Sequence, residues 1–595
     1  MIKFKLSYVA FATALTSSFV YADPTIYTHQ TGTQIIDIEA PNAAGVSHNM
    51  YREFNVGSKG MILNNNGSNY THNTLGNIAK NNNLTNGSAS VILNEVISNK
   101  SSSLQGFIEV GGQKADVVIA NPNGITCSGC SFINTNKAVL TTGKVNFSDT
   151  GAISSYDVTG GNITIGKDGM DAANNYAVIL ADAININGTI TAANAIIGGG
   201  NFTFDNSTGK LTSHQKSASL KHLLMPEYSI DISMLGGVKA NSITMIGNNL
   251  GFGVRNKGAI IANSTLAMSS NGSLINEGQI VGKGFVTQMI SAGELNNSGT
   301  ISTKNIAMLN TLSNLVNTGE ISNTGSMAVS ASGNMENKGT IHAAQSLAVN
   351  TGGNLTTAYG SWLGSDNQAS VNVLGNVDHG GSLRAQNTSV SFGGDTLKVT
   401  GDIYGYTTAQ VQAAKNGSLT SGEITNAGII SGNDIALATN GSLITDYGSM
   451  LEVGKSLTAH SHWLSNGGSI RGNSADMNFD NYVTTNTGNI IGGTLNILTQ
   501  KDLLNTGLLE SKGDLTINTQ NQGKITNQGT MKAAQTMTLD ATQVVNGGYK
   551  CGFLNLKTCG AGSLSANKLV LNSKQKYANN MGGSQAFKAT EINTK

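Results

Sequence analysis

The chain has 595 residues, with 74 Gly, 4 Pro, 12% charged and 39% hydrophobic residues. That length exceeds one ordinary globular core, so several domains or one elongated repeat is expected, and the normal apolar content excludes a disordered linker. The net charge is +1 with no long basic run, so no nucleic-acid partner is expected.

Residues 1–22 read as a secretory signal peptide. Lys3 and Lys5 form a positive start, Leu6 to Phe19 is mostly apolar or small, and Val20-Tyr21-Ala22 is an acceptable cleavage site. The apolar stretch is too short to span a bilayer, and no later segment has about 20 continuous apolar residues. The mature chain is therefore expected to be exported, starting near Asp23.

Residues 34 to 143 are dense in blocks that are not simple repeat. Ile36-Asp37-Ile38-Glu39-Ala40-Pro41 leads to Phe54-Asn55-Val56 and to Gly60-Met61-Ile62-Leu63-Asn64-Asn65. Then come Val91-Ile92-Leu93-Asn94-Glu95-Val96 and Leu104-Gln105-Gly106-Phe107-Ile108. The densest block runs Asn121-Pro122-Asn123-Gly124-Ile125-Thr126-Cys127-Ser128-Gly129-Cys130, and Leu140-Thr141-Thr142-Gly143 closes the series. A later block is Ile230-Asp231-Ile232-Ser233-Met234-Leu235-Gly236-Gly237.

In order and spacing these blocks resemble the N-terminal secretion domain of filamentous-haemagglutinin-type exoproteins of bacterial two-partner secretion. The resemblance implies export to the periplasm of a Gram-negative bacterium. It also implies recognition by an outer-membrane two-partner-secretion transporter, a barrel with periplasmic docking domains. Folding at the cell surface, or release, would follow. By the same resemblance Asn121, Pro122, Asn123 and Gly124, with Ile125 and the Asn64-Asn65 pair, form the secretion motif. Read as residues, the tetrad is a tight turn in which Pro fixes φ and Asn-Gly tolerates left-handed geometry. Recognition and mere shaping of the first coils both fit it. Relatives often carry Asn-Pro-Ser where this chain has Asn99-Lys100-Ser101, and the missing Pro is expected to loosen that turn.

Four cysteines stand in two close pairs, Cys127 with Cys130 and Cys551 with Cys559. In an exported chain an even, paired count favours disulfides over a metal or redox site. No metal or other cofactor is expected.

From residue 256 onward the motif Asn-x-Gly-x-Ile returns at Asn256, Asn276, Asn297, Asn317 and Asn337, with steps of 20, 21, 20 and 20. Degenerate versions hold Ala358-Tyr359-Gly360 and Asp378-His379-Gly380. After a longer step with the polar stretch Tyr404 to Ser421, the cycle resumes at Asn426 and passes through Asp446, Asn466, Asn486, Asn505, Asn527 and Asn546. Between these points lie short alternating runs: Leu266-Ala267-Met268, Ile306-Ala307-Met308, Met327-Ala328-Val329 and Leu347-Ala348-Val349. Each places two apolar side chains on one strand face, and none is long enough for a helix. The expected fold is all-β, a right-handed parallel β-helix (solenoid) with about 20-residue coils. At about 4.8 Å per coil the rod would be on the order of 130 Å long. Asn-x-Gly supplies turns in this reading, because Gly and Asn tolerate positive φ, and the Asn amides also bond from coil to coil.

The expected organisation is a signal peptide at 1–22 and a two-partner-secretion domain at 23–255 that caps the start of the β-helix. A repeat stalk at 256–550 and a C-terminal tail at 551–595 follow. A truncated product, one part of a split locus and a naturally short exoprotein all fit that tail.

No catalytic constellation emerges, and the chain is not expected to be an enzyme. His460-Ser461-His462 puts two rings on one strand face without a nearby carboxylate or Cys cluster, which reads as a solvated pair. Gly198-Gly199-Gly200 lacks the Lys and helix of a phosphate loop. Two functions remain. One is a filamentous-haemagglutinin-like adhesin that binds host-cell glycans or proteins. The other is the stalk of a contact-dependent growth-inhibition toxin directed at neighbouring bacterial cells, without its C-terminal effector.

Overall fold

Short apolar-x-apolar runs, punctuated by Asn and Gly every few residues, cannot sustain a helix but suit strands that turn sharply. In the computed structural model, every regular element among the described residues is a strand. The structure describes residues 24–214, 228–249, 253–551, 557–575, 577–580 and 583–594. The expected signal peptide at 1–22 lies outside them.

One coil shows the plan. Leu315–Asn317, Glu320–Asn323 and Ser326–Ala331 form three sides, and Met335–Asn337 begins the next coil. Stacking is parallel and in register: Leu315 on Met335, Glu320 on Thr340 and Ser326 on Ser346. The chain winds in this way for about 23 turns with a spacing of about 21 residues. Leu315, Ile321, Met327 and Val329 all point inward and are buried. With their counterparts they form one axial core that runs from Ile36 to Leu571. At about 4.8 Å per coil these turns span about 110 Å, less than the sequence period suggested. The difference is chain diverted into outgrowths.

Those outgrowths lie mostly in the first half. Thr25–Thr28 pairs antiparallel with Gln34–Asp37 and covers the first coil, so no bare parallel edge is left there. A hairpin of Tyr70–His72 and Gly76–Ile78 packs on Ile35 and Ile62. The strands Lys144–Phe147, Ile153–Val158, Phe202–Asp205 and Leu211–Ser213 form an antiparallel sheet outside the helix. Tyr156, Phe202 and Phe204 of that sheet share a second core with Val118, Val139 and Val178, which point outward from the coils. The longer step near residue 410 is a 14-residue strand, Asp402–Lys415, that continues into a tight hairpin at Asn416-Gly417. Both hairpin residues are left-handed, with φ of 51° and 80°. Tyr404 therefore belongs to a coil and not to an insertion.

The asparagines form a buried axial ladder. Asn256 Nδ2 donates to Asn276 Oδ1 at 2.8 Å, and the chain of bonds continues to Asn297, Asn317 and Asn337 at 2.7, 2.8 and 2.8 Å. A second run links Asn466, Asn486, Asn505, Asn527 and Asn546 at 2.6, 2.7, 2.8 and 2.8 Å. Each amide also closes its corner, as where Asn317 donates to the carbonyls of Gly319 and Thr340. Burying amides is tolerable here because their polar atoms find partners.

Two details of the repeat differ from the sequence reading. The glycines of Asn-x-Gly are not left-handed, since Gly278, Gly299, Gly319 and Gly339 are absent from the positive-φ residues. They are glycine because a Cβ on each would come well within 3.0 Å of the carbonyl oxygen of the glycine one coil earlier. Ile306-Ala307-Met308 is also offset. Register pairs Ala307 with the inward Met327, so Ala307 and Leu309 are buried while Ile306 and Met308 face solvent.

Between the two runs the ladder position is occupied by Thr357, His379, Val399, Asn426 and Thr445. Thr445 holds the place expected for Asp446, and a carboxylate there would lie among buried amides. His379 Nε2 lies 2.8 Å from the Asp402 carbonyl, so it carries the proton, and Nδ1 accepts from the Thr357 hydroxyl at 2.7 Å. Burial lowers the pKa of this imidazole, with the Asp402 carbonyl opposing. A folded pKa below the unfolded value of about 6.5 gives stability that is complete at neutral pH. That stability is lost as pH falls from there through the folded pKa. Amide exchange, corrected for intrinsic rate, should show the coils around 357–402 opening more at pH 5 than at pH 7. His379→Asn should abolish most of the difference.

Candidate functional site

The sequence motif falls at one corner of the early coils, where Ala115–Ala120 ends and Ile125–Cys127 begins. Asn121 is buried and works as a hub. Its carbonyl accepts from Gly124 N–H at 3.1 Å and its Oδ1 from Asn123 N–H at 3.0 Å. Its Nδ2 donates to the Lys100 carbonyl and the Ser102 hydroxyl, both at 2.9 Å. Gly124 takes φ +105°, while Asn123 is not left-handed, so glycine alone supplies that freedom. Ile125 enters the core directly after the turn.

Only Pro122 and Asn123 of the tetrad face solvent. Asn123 Nδ2 reaches the Ser98 carbonyl at 2.7 Å, so Asn121 and Asn123 together pin residues 98–102 from the following coil. These bonds hold the turn that lacks proline. Around the pair, Arg52, Glu53, Asn55, Ile97, Asn99 and Lys100 are exposed on neighbouring coils. The corner thus offers both charge signs, amides and one apolar side chain.

Asn64 and Asn65 are placed elsewhere. Both are fully buried at the end of strand Met61–Asn65. Asn64 Nδ2 donates to Asp37 Oδ1 at 2.7 Å and the Ala79 carbonyl at 3.0 Å. Asn65 Nδ2 donates to the Ala89 and Gln113 carbonyls at 2.8 Å, and its Oδ1 accepts from Ala89 N–H at 2.7 Å. The pair clamps both ends of the segment that carries the small hairpin. Burial raises the pKa of Asp37, and the Asn64 bond offsets part of the rise.

Cys127 and Cys130 form a disulfide with Cα atoms 5.4 Å apart. Cys127 ends one side of a coil and Cys130 begins the next, so the bond fixes a corner whose tip, Gly129, is left-handed at φ +81°. The backbone of Tyr549–Cys551 pairs antiparallel with Lys557–Cys559, but the side chains of Cys551 and Cys559 lie outside the described residues. His460 and His462 are both part-exposed, and His462 Nε2 stands 3.9 Å from Asp480 Oδ1. Among the described residues no group of three His, Cys, Asp or Glu side chains converges on a metal position.

A family model described as the TPS secretion domain matches residues 12–281. The first half of the chain is thus similar to that domain. Its model takes in the tetrad corner, the buried Asn64-Asn65 pair, the outer antiparallel sheet and the first ladder asparagines. Toxin CdiA of Yersinia pestis is 41% identical over 260 residues, 43% of this chain and 8% of that protein. The 16S rRNA endonuclease CdiA of Enterobacter cloacae subsp. cloacae is 29% identical over 584 residues, 89% of this chain and 16% of that protein. The chain therefore spans a small part of the length of these relatives. A crystal structure of a filamentous hemagglutinin secretion domain is 29% identical over 48% of this chain and 95% of its own, with a TM-score of 0.40.

Sequence reasoning missed the outer sheet, although a signal was present. Val117-Val118-Ile119-Ala120 and Ala177-Val178-Ile179-Leu180 are continuously apolar where one-sided coil strands should alternate. Such runs indicate strands covered on both faces.

Proposed function

We propose that this chain is an exoprotein passed to the outer surface of a Gram-negative bacterium by a dedicated outer-membrane barrel with periplasmic docking domains. There it acts as an adhesin for host-cell glycans or proteins. The TPS secretion-domain match over residues 12–281 carries the export half of this reading. The exposed Pro122-Asn123 corner is the partner-facing part of the motif, and Asn64, Asn65 and Asn121 serve it by holding the coils in shape. The rod acts by binding, and no catalytic step is assigned to it.

A second reading is favoured by the names of the relatives. Both curated proteins described above are CdiA, and one aligns with 89% of this chain. In that reading the rod is the stalk of a contact-dependent growth-inhibition toxin and presents its coils to neighbouring bacteria.

Each added coil buries apolar area and gains ladder bonds, so folding outside the barrel opposes back-sliding. Export should then be blocked by Gly188→Val in an early coil far more than by Gly507→Val in a late one. Extracellular yield, with and without the barrel gene, tests this; equal yields for the two variants would sink it. Host-cell adherence against killing of co-cultured bacteria separates the two readings.

A further inference from the structure

Aromatic residues make up 5% of the chain, and tryptophan occurs twice. Outward positions of the repeat coils are mostly polar. One open cleft of about 870 Å³, on the side of the rod that carries Trp362–Ser365, breaks this pattern.

Register builds the cleft. Trp362, Ser382 and Asp402 stack in one column, and Gly364, Arg384 and Tyr404 in the next. The residues between them, Leu363, Leu383 and Ile403, are buried, so both columns face outward. A Cβ on Gly364 would crowd the Arg384 carbonyl oxygen and the Trp362 indole nitrogen, so glycine there lets the indole lie over its rung. On one wall the Trp362 indole stacks on His342 with ring centroids 4.4 Å apart. His342 Nε2 pairs with Asp366 Oδ1 at 3.0 Å. On the other wall Arg384 forks onto Asp402 at 3.0 and 3.1 Å, and Ser382 Oγ donates to the same carboxylate at 2.9 Å. Tyr406 packs at 4.9 Å against Tyr404 and stays 51% exposed.

The corner above the cleft presents Tyr359, which is 96% exposed. A turn holds it out: Gly360 has φ +80°, and the N–H and hydroxyl of Ser361 donate to the Ala358 carbonyl at 3.1 and 2.7 Å. The same turn recurs at Tyr447, 97% exposed, where Ser449 donates to the Asp446 carbonyl at 3.0 and 2.7 Å. A ring so exposed buries no apolar area and adds nothing to the fold. Two such rings on matching turns point to contact with another molecule.

The chemistry selects the ligand. Ring faces favour the apolar C–H faces of a flat partner, while the fixed fork offers donors and acceptors for hydroxyls. Arg384 spends only two of its five donors on Asp402. Its charge is matched by Asp402, so the cleft holds no spare cation for an acidic ligand. Three rungs separate His342 from Tyr404, about 14 Å, or about one pyranose ring per rung.

We propose that this cleft binds a short neutral oligosaccharide, stacking its rings on Tyr359, Trp362 and Tyr406 and bonding its hydroxyls to Arg384 and Asp402. The inference rests on the adhesive reading above and gives it a ligand class. Exported chain carrying Trp463→Phe keeps Trp362 as its sole tryptophan, and its emission can be titrated with neutral hexose and N-acetylhexosamine oligosaccharides. At least one should give a saturable change, with affinity reduced at least tenfold by Tyr359→Ala and by Arg384→Ala at unchanged melting temperature. No saturable change with any neutral oligosaccharide, unchanged affinity in Tyr359→Ala, or binding confined to sialylated or uronic-acid sugars would each overturn it. Adherence measured in parallel separates the two claims. Adherent cells with no sugar binding leave the adhesive role and remove the cleft; sugar binding without adherence does the reverse.

Discussion

Gly319→Val is expected to break the rod locally while leaving its ends folded. The Cβ of residue 319 would overlap the carbonyl oxygen of Gly299 and the backbone of Ser298, neither of which is a side chain that can rotate away. The same segment is tied on both sides, since Gly319 N–H donates to the Asn297 carbonyl at 3.1 Å and its carbonyl accepts from Thr340 at 2.9 Å. Coils must separate or corners must shift, and overpacking of this kind costs about 3 kcal/mol or more when backbone cannot move. Each coil contacts only its neighbours, so the loss should stay near residues 299–340 and not spread along the axis. Hydrogen exchange should show protection falling there, and limited proteolysis should yield two resistant fragments. Gly360→Ala is the control. Gly360 is left-handed with open space around it, so alanine there pays only backbone strain of about 1–2 kcal/mol. Equal effects of the two substitutions would mean that conformation, not stacking distance, dictates the repeat glycine.

That contrast also marks where sequence reading works. Period, strand content and the axial asparagine ladder were legible because the same residue type must return whenever the same environment returns. Asn256, Asn276, Asn297, Asn317 and Asn337 are spaced by the perimeter of one coil. The reason for the glycines was not legible, because a left-handed turn and a close carbonyl select the same residue. The offset of Ile306 and Met308 was hidden for a related reason: apolar alternation reads equally well in either register until a neighbouring coil fixes it. Asp446 beside Thr445 shows the same one-residue ambiguity. In the secretion domain the tetrad turn was legible from Pro122 and Gly124. The burial of Asn64 and Asn65 was not, because their partners, Asp37, Ala79, Ala89 and Gln113, come from segments far apart in the chain. The cleft at Trp362 depends on His342, Trp362, Arg384 and Asp402 meeting across successive coils, which no local motif records.

Asn317→Asp should be the most damaging single-atom exchange in the ladder. Asn317 Nδ2 donates to Asn337 Oδ1 at 2.8 Å and to the carbonyls of Thr340 and Gly319 at 3.0 and 3.2 Å. An aspartate would aim an oxygen at three acceptors, and the site is fully buried, so its charge has no solvent. Unsatisfied buried groups cost about 1–3 kcal/mol each and more when ionised. The carboxyl should therefore be held protonated in the fold, with a pKa above its unfolded value of about 3.9. Below that value both states are protonated and the variant should come closest to the parent, since one O–H donor is restored. As pH rises from about 4 to the folded pKa the folded state binds more protons than the unfolded, so stability falls. Above the folded pKa the loss is complete and constant. Asn317→Leu removes the amide without adding charge and should cost less at neutral pH with no such slope. Urea titration of the three proteins at pH 3.5 and pH 7 decides the matter. A pH-independent deficit in the aspartate variant would mean that water reaches the ladder and that its amides are not sealed from solvent.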